Sequence, residues 1–226
     1  MERSPVAVKR GRGIRAGLDL QLIVATAKGI DPAELSMQSI ADALGVDRKA
    51  LHKHVRDKET LLGLVAHDAL ADVFTSTDLA AAQDWRQACR LFAQGFVRAV
   101  VGLGALAEYL WFGEAEFGDW PTASAEALLG HLARAGFSDA AAVRFIVVLT
   151  TLCLGHARDV IQYRESRDQL RPRQRQVRNW LEKVQPEHYP HLVRIAELGL
   201  DTYGAEQLQF SVDLLVRGAE HLLVER

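Results

Sequence analysis

The chain has 226 residues, 49% hydrophobic and 25% charged, which is enough for one large helical domain or a small and a medium one. No apolar run approaches the ~18 to 20 residues that a bilayer crossing needs, and the basic N-terminus has no apolar segment after it, so a soluble, cytoplasmic protein without a membrane partner is expected. Cys89 and Cys153, the two cysteines, fit reduced interior thiols better than a disulfide framework and lack metal-ligand spacing, with a redox switch as the minor alternative. The net charge of -2 conceals an asymmetry: residues 1–60 hold 11 Lys and Arg against 8 Asp and Glu, and the remainder holds 16 against 21. One end is suited to phosphates and the other is acidic.

Strand signals are scarce and the apolar period is near 3.6, so the fold class is all-α. Residues 1–17, with Arg3, Lys9, Arg10, Arg12 and Arg15 among Gly, Pro and Ser, read as a flexible basic arm. This arm either gains order on DNA or merely aids solubility. A first helix over about Leu18 to Lys28 turns Leu22, Ile23 and Ala27 inward and ends before Asp31 and Pro32. A second starts at Ser36, with Met37, Ile40, Ala41 and Leu44 on one face, and Gly45 stands where the chain must turn left-handed. Val46 fills the turn and Asp47 caps a third helix, whose inward side is Ala50, Leu51 and Val55. Its outward side carries Arg48, Lys49, His52, Lys53 and His54. That combination is a helix-turn-helix fitted to a major groove about 12 Å wide.

At Leu51, His52, Lys53, His54, Val55, Arg56, Asp57 and Lys58, followed by Leu61 and Leu62, the sequence resembles the TetR (tetracycline-repressor) family of bacterial regulators. The family's usual pattern is Leu-Tyr-x-His-Val/Phe-x-x-Lys, so His52 replaces its Tyr. The resemblance spans roughly residues 18 to 74 and continues more weakly to Gly204–Leu222. It implies that Gln38, Arg48, Lys49, His52, Lys53 and His54 touch DNA, with Lys58 on a phosphate. Gln38 suits adenine and Arg48 suits guanine by bidentate pairing, whereas the lysines position the protein.

Downstream, Thr60 to Phe74 is a connecting helix, and a further helix starts at Asp84 and Trp85 and runs through Leu91, Phe92, Phe96 and Val100. Gly102 and Gly104 loosen the chain before an aromatic stretch of Tyr109, Trp111, Phe112, Phe117 and Trp120. Pro121 opens a helix ending near Ala135 and Gly136, and a long helix from Ser138 passes Phe145, Val148, Leu152 and Val160. Residues 164–186, rich in Arg and Gln, read as a solvated loop, with a short helix over Val177 to Val184 as the alternative. His188–Leu200 and Glu206–Val224 complete the set. The last helix has Leu208, Val212, Leu215, Ala219 and Leu222 on one stripe and Phe210 and Leu214 on another, which calls for burial on more than one side.

The domains expected are therefore the arm, a DNA-binding domain over 18–75, and a ligand-binding and dimerisation domain over 76–226. The resemblance implies a homodimer on a palindromic operator of double-stranded DNA, paired through the last helix and the Ser138 helix. It also implies a C-terminal pocket for a small hydrophobic effector. The expected ligand wall is Phe92, Phe96, Tyr109, Trp111, Phe112 and Trp120, with His156 and Asp159. Phe92 and Phe96 taken alone read as core sooner than as ligand wall. The His that holds a drug–magnesium chelate in tetracycline-type members falls at Leu110, and Asp159 matches a carboxylate contributed across the dimer; no cofactor or metal is expected. Two rival readings stay open, an architectural or division-linked DNA-binding protein without an effector and a helical-bundle enzyme. For the enzyme, no HExxH, nucleophile elbow or GxxxxGK[ST] is present, and Gly102 and Gly104 lack a third glycine at Ala107.

Overall fold

The computed structural model describes residues 18–31, 34–74, 79–110, 122–165, 173–198 and 200–224, which are all-helical, without a strand. The chain divides into two units, Met1–Leu61 and Leu62–Arg226. In the first, α1 (Leu20–Lys28) is capped by Asp19, whose Oδ1 accepts the Leu22 N–H at 2.8 Å. It buries Ile23, Val24 and Ala27. Leu22, expected inward, is exposed: Ile23 and Ala27, four apart, set the buried stripe and leave Leu22 about 100° off it. α2 (Met37–Leu44) starts with a capping box between Ser36 and Ser39, and α3 (Arg48–Leu51) follows the turn at Gly45. α2 packs against both α1 and α3, and Ile23, Leu35, Ile40, Leu51 and Val55 form the centre of this unit. Each such side chain contributes roughly 1.5 to 3 kcal/mol by leaving water.

α4 (Lys58–Phe74) runs across the division, two residues earlier in its start than the periodicity suggested. α5 (Trp85–Gly102) is the axis of the second unit. Asp84 caps it, with Oδ1 accepting the Gln87 N–H at 2.8 Å, and ten of its side chains or glycine positions are buried. After a 3-10 turn over Gly104–Tyr109, α6 (Thr122–Arg134), α7 (Asp139–Glu165) and α10 (Ala205–Val224) pack around it. The expected helix opener Pro121 and the aromatics Trp111, Phe112, Phe117 and Trp120 lie outside the described residues. Trp85 meets Phe137 edge-on at 5.1 Å and Phe145 at 6.1 Å, closing the core between α5 and α7. His131 is buried, and its Nε2 donates to the Leu79 carbonyl at 2.9 Å, which holds the chain ahead of α5.

Two ion pairs fix the register of α10 on α5: Arg86 Nε to Glu220 Oε1 at 2.6 Å and Arg90 Nε to Asp213 Oδ1 at 2.8 Å. Rising numbers on one helix meet falling numbers on the other, so the two run antiparallel. All four side chains are about a third or more exposed. Their contribution is accordingly geometric more than energetic.

Two expectations are corrected. Within the stretch read as a loop, Arg173–Leu181 forms a helix, α8. Leu181 is buried, α8 packs on α9 (Pro190–Ala196), and Arg178 Nη2 donates to the Ala196 carbonyl at 2.9 Å. The pairing with α9 supplies the partner that α8's thin apolar stripe lacks alone. α9 is itself shorter than His188–Leu200, preceded by a 3-10 turn at Pro186–His188. Second, Asp139–Arg164 in α7 is long and apolar enough to cross a membrane by length and composition, with mean hydropathy 1.8 in its most apolar window. Here one side of α7, with Ala142, Phe145, Leu149, Cys153 and Ala157, is packed in the core, while Val143, Val147 and Val148 face outward.

Cys89 and Cys153 are fully buried, and burial pushes both thiols up to about 12. The thiolate is the reactive form, so a folded protein should resist alkylation. Iodoacetamide at mildly alkaline pH is expected to leave both unmodified in the native state and to label both in guanidinium, as read by mass spectrometry; labelling of either native thiol would restore the redox-switch reading.

Candidate functional site

The first candidate site is the turn between α2 and α3 with its flanks. Gly45 ends α2 at φ 64° and ψ 32°, and its N–H bonds back to Ala41 and Asp42 carbonyls. No neighbour would touch a Cβ there, so the requirement for glycine is the left-handed backbone and not space. The Val46 N–H then donates to the Ala41 carbonyl at 3.0 Å, and Asp47 Oδ1 accepts the Lys49 N–H at 2.7 Å to start α3. α3 is only four residues long; the expected third helix continues past Leu51 as hydrogen-bonded turns, with the His54 and Val55 N–H groups both donating to the Leu51 carbonyl at 2.9 Å. Leu51 and Val55 are buried.

That anchoring leaves Arg48, Lys49, His52, Lys53 and His54 all exposed, with Lys58 exposed at the start of α4 and Gln38 exposed on α2. Gln38 Nε2 donates to Asp42 Oδ1 at 2.8 Å, which holds the amide in one orientation and leaves its second N–H and its carbonyl oxygen available. His52 Nδ1 lies 3.1 Å from the Arg56 carbonyl. A carbonyl only accepts, so Nδ1 carries the proton and a neutral ring presents Nε2 as an acceptor. Sequence reasoning missed Asp57, the N-terminal anchor of α4. Its Oδ1 accepts the Thr60 N–H at 2.8 Å and the Thr60 hydroxyl at 2.6 Å, and its Oδ2 accepts from Arg56 Nε at 2.9 Å. The signal was present as Asp followed three residues later by a hydroxyl side chain.

Five residues of the expected ligand wall, Phe92, Phe96, Tyr109, His156 and Asp159, are among the described residues. Phe92 and Phe96 stack on each other at 5.8 Å and lie in the core, with Phe96 fully buried. Tyr109 is half-buried at the end of the 3-10 turn, and His156 and Asp159 are half-buried on α7. Trp111, Phe112 and Trp120 lie outside the described residues. Leu110 is buried, and its carbonyl accepts from Arg158 Nη2 at 3.3 Å. No group of three side chains suited to hold a metal ion occurs among the described residues. A cleft of about 530 Å³ opens between the 3-10 turn and α7, and its lining includes Glu108, Arg158 and Gln162, three polar residues absent from the expected wall. A second, apolar groove of about 320 Å³ lies between α7 and α10, lined by Phe145, Val148, Leu214 and Leu215 among others.

Residues 78–222 match the family model described as the tetracyclin repressor-like C-terminal domain. The tetracycline repressor protein class A from transposon 1721 of Escherichia coli is 32% identical over 146 residues, 63% of this chain and 62% of that protein, so the match spans less than two thirds of the relative's length. The Streptomyces coelicolor TetR family protein ActR in complex with actinorhodin superposes with a TM-score of 0.71 at 22% identity, over 92% of this chain and 99% of that one. The S. coelicolor transcriptional regulator SCO7222, a TetR, superposes with a TM-score of 0.67 at 23% identity, over 91% of this chain and 99% of that one. At these identities the structural likeness establishes the fold.

The hydrogen bonds from Thr60, with Arg56 adding to them, pull the Asp57 carboxyl from 3.8 to about 2. A depressed folded value means that the cap stabilises the start of α4 above about pH 4 and is lost as pH falls through 2. The Thr60 amide resonance is expected to titrate with a midpoint near 2, and Asp57→Asn to abolish that titration; a midpoint at the ordinary carboxylate value would show that the cap does not form.

Proposed function

The chain belongs to the tetracycline-repressor-like family, and from that membership we propose that it is a cytoplasmic, ligand-responsive transcriptional regulator. It acts as a repressor that binds a palindromic operator as a homodimer and leaves it when a small hydrophobic effector binds the C-terminal domain. Residues 18–75 serve as the DNA-binding domain and 76–226 as the effector and dimerisation domain. We assign it no catalytic role.

The observation that carries the reading is the α2–turn–α3 segment. Met37, Ile40, Ala41, Leu51 and Val55 are buried and Leu44 and Ala50 half-buried, while Arg48, Lys49, His52, Lys53 and His54 remain exposed on one short element. Arg48 and Gln38 read base edges, and Lys49, Lys53 and Lys58 hold phosphates. One such element contacts too few bases for specificity, and a twofold axis supplies a second at a half-site spacing of about 34 Å or a multiple.

The homodimer is supported by what α7 and α10 leave uncovered. Val147 is 58% exposed, Phe210 65% and Leu214 64%, and Leu214 lines the apolar groove between the two helices together with the exposed Val148. Apolar side chains of this size left in water on two adjacent helices suit a partner surface, and the family's four-helix pairing supports a second copy as that partner. Release needs only a difference in effector affinity between conformations: about 2.7 to 4 kcal/mol lowers operator binding by 100- to 1,000-fold.

Two tests separate the parts of this proposal. In fluorescence anisotropy against the DNA upstream of its own gene and a scrambled duplex, Arg48→Ala is expected to lose about 1 to 3 kcal/mol and relax preference at one base pair. Lys58→Ala should weaken all sequences alike and lower the salt slope by about one. Equal affinity of the native protein for both duplexes would overturn specific regulation. For assembly, Leu214→Asp is expected to halve the mass seen by light scattering without loss of helical signal; a native protein that is already monomeric at micromolar concentration would remove the dimer.

A further inference from the structure

The cleft beside the 3-10 turn is built from two unlike walls. On one side Gly104, at φ 53°, turns the chain out of α5, and Gly104 and Ala105 keep that wall low, with Glu108 at its end. On the other, Arg158, Ile161 and Gln162 follow the i, i+3, i+4 spacing that puts three side chains on one face of α7. The volume, about 530 Å³, is in the range of small-molecule sites, roughly 300 to 1,000 Å³.

Arg158 is the distinctive group. Its Nη2 is tethered to the Leu110 carbonyl at 3.3 Å, and it forms no ion pair with a carboxylate among the described residues, although Glu108 lines the same cleft. A carbonyl satisfies one N–H of a guanidinium that carries five and neutralises none of its charge. The tether limits where the guanidinium plane can go, so part of the ordering cost of a bidentate contact is already met.

Resting on the regulator reading above, we infer that the effector is an amphipathic acid, whose carboxylate is taken by Arg158 in this cleft. The apolar body lies over the low wall at Ala105, and Gln162 offers an amide to a second oxygen. Glu108 accepts from a hydroxyl or N–H on the same molecule and disfavours a second anionic group there. A neutral analogue loses the charge-assisted pair, and a dianion meets Glu108.

The probe is 3-hydroxy-2-naphthoic acid, an apolar bicyclic hydroxy-acid, against its methyl ester, titrated by calorimetry into the purified full-length protein without DNA. The acid is expected to bind at least about tenfold tighter than the ester. Arg158→Gln should remove that preference by weakening the acid and leaving the ester unchanged, with melting temperature and DNA affinity as in the parent protein. Arg158→Lys should keep part of the preference, since it retains charge without the fork. Glu108→Gln should keep it fully. Equal affinity for acid and ester, no saturable binding of the acid, or an acid affinity untouched by Arg158→Gln would overturn the inference. Operator binding is measured separately, so a protein released from DNA by neutral compounds alone would remain a regulator while this site assignment fell.

Discussion

A helix buried around most of its circumference must find an apolar neighbour in nearly every direction, and α5 is such a helix. From Trp85 through Val100 it turns Ala88, Cys89, Phe92, Ala93, Phe96, Val97 and Ala99 into the interior, and the small residues among these let α6, α7 and α10 approach closely. The neighbours spend one face each on α5. For α6 that is nearly the whole requirement, but α7 and α10 are long and apolar on further faces, so satisfying α5 leaves Val147, Phe210 and Leu214 unsatisfied. The uncovered surface is thus a by-product of how the core is built. It also explains why α7, taken by composition alone, passes for a membrane span.

The helix-turn-helix unit solves a different problem, holding a very short element rigid. Four residues of α3 have no helical stability of their own. Their orientation comes from both ends: the left-handed Gly45 and the Asp47 cap before them, and the buried pair Leu51 and Val55 within and after them. The side chains that face outward are then defined by the ones that cannot. Immediately downstream, Asp57 holds the start of α4 through Thr60 and grips Arg56 as well, so the carbonyl that receives His52 belongs to a residue that is itself restrained.

What the sequence made legible follows the strength of the local signal. The α2 turn was readable because glycine, cap and apolar phase coincide within a dozen residues. The starts of α5 and α7 were readable from Asp84 and Ser138, whose side chains accept the N–H groups of Gln87 and Ala141. α8 was readable only as the alternative of a short helix over Val177 to Val184, since its stability comes from α9 and from the Arg178 bond to Ala196, neither of which leaves a mark in its own composition. Leu22 was misplaced for a related reason: two adjacent apolar residues leave the phase of a short helix ambiguous until a neighbour chooses it. The cleft residues escaped notice because Glu108 and Arg158 are fifty positions apart and each looks like an ordinary surface charge. Their common wall exists only after the chain turns at Gly104. Phe92 and Phe96, by contrast, announced themselves as aromatic, and the structure places their rings in the core, stacked on each other.

The ion pairs between α5 and α10 have a bearing on the assembly proposed above. Asp213, gripped by Arg90 and by Gln209, immediately precedes Leu214, and its carboxyl is held below the ordinary range by the Gln209 amide and then by Arg90. Because Arg86 and Arg90 are one turn apart and each has its own acidic partner, α10 cannot ratchet along α5 without breaking both pairs at once. A helix slides past another in steps of about 5.4 Å, and one such step would carry Phe210 to the level now held by Leu214. The polar inner edge of α10 therefore acts as a vernier for its apolar outer edge, setting the level at which each exposed ring or methyl group stands.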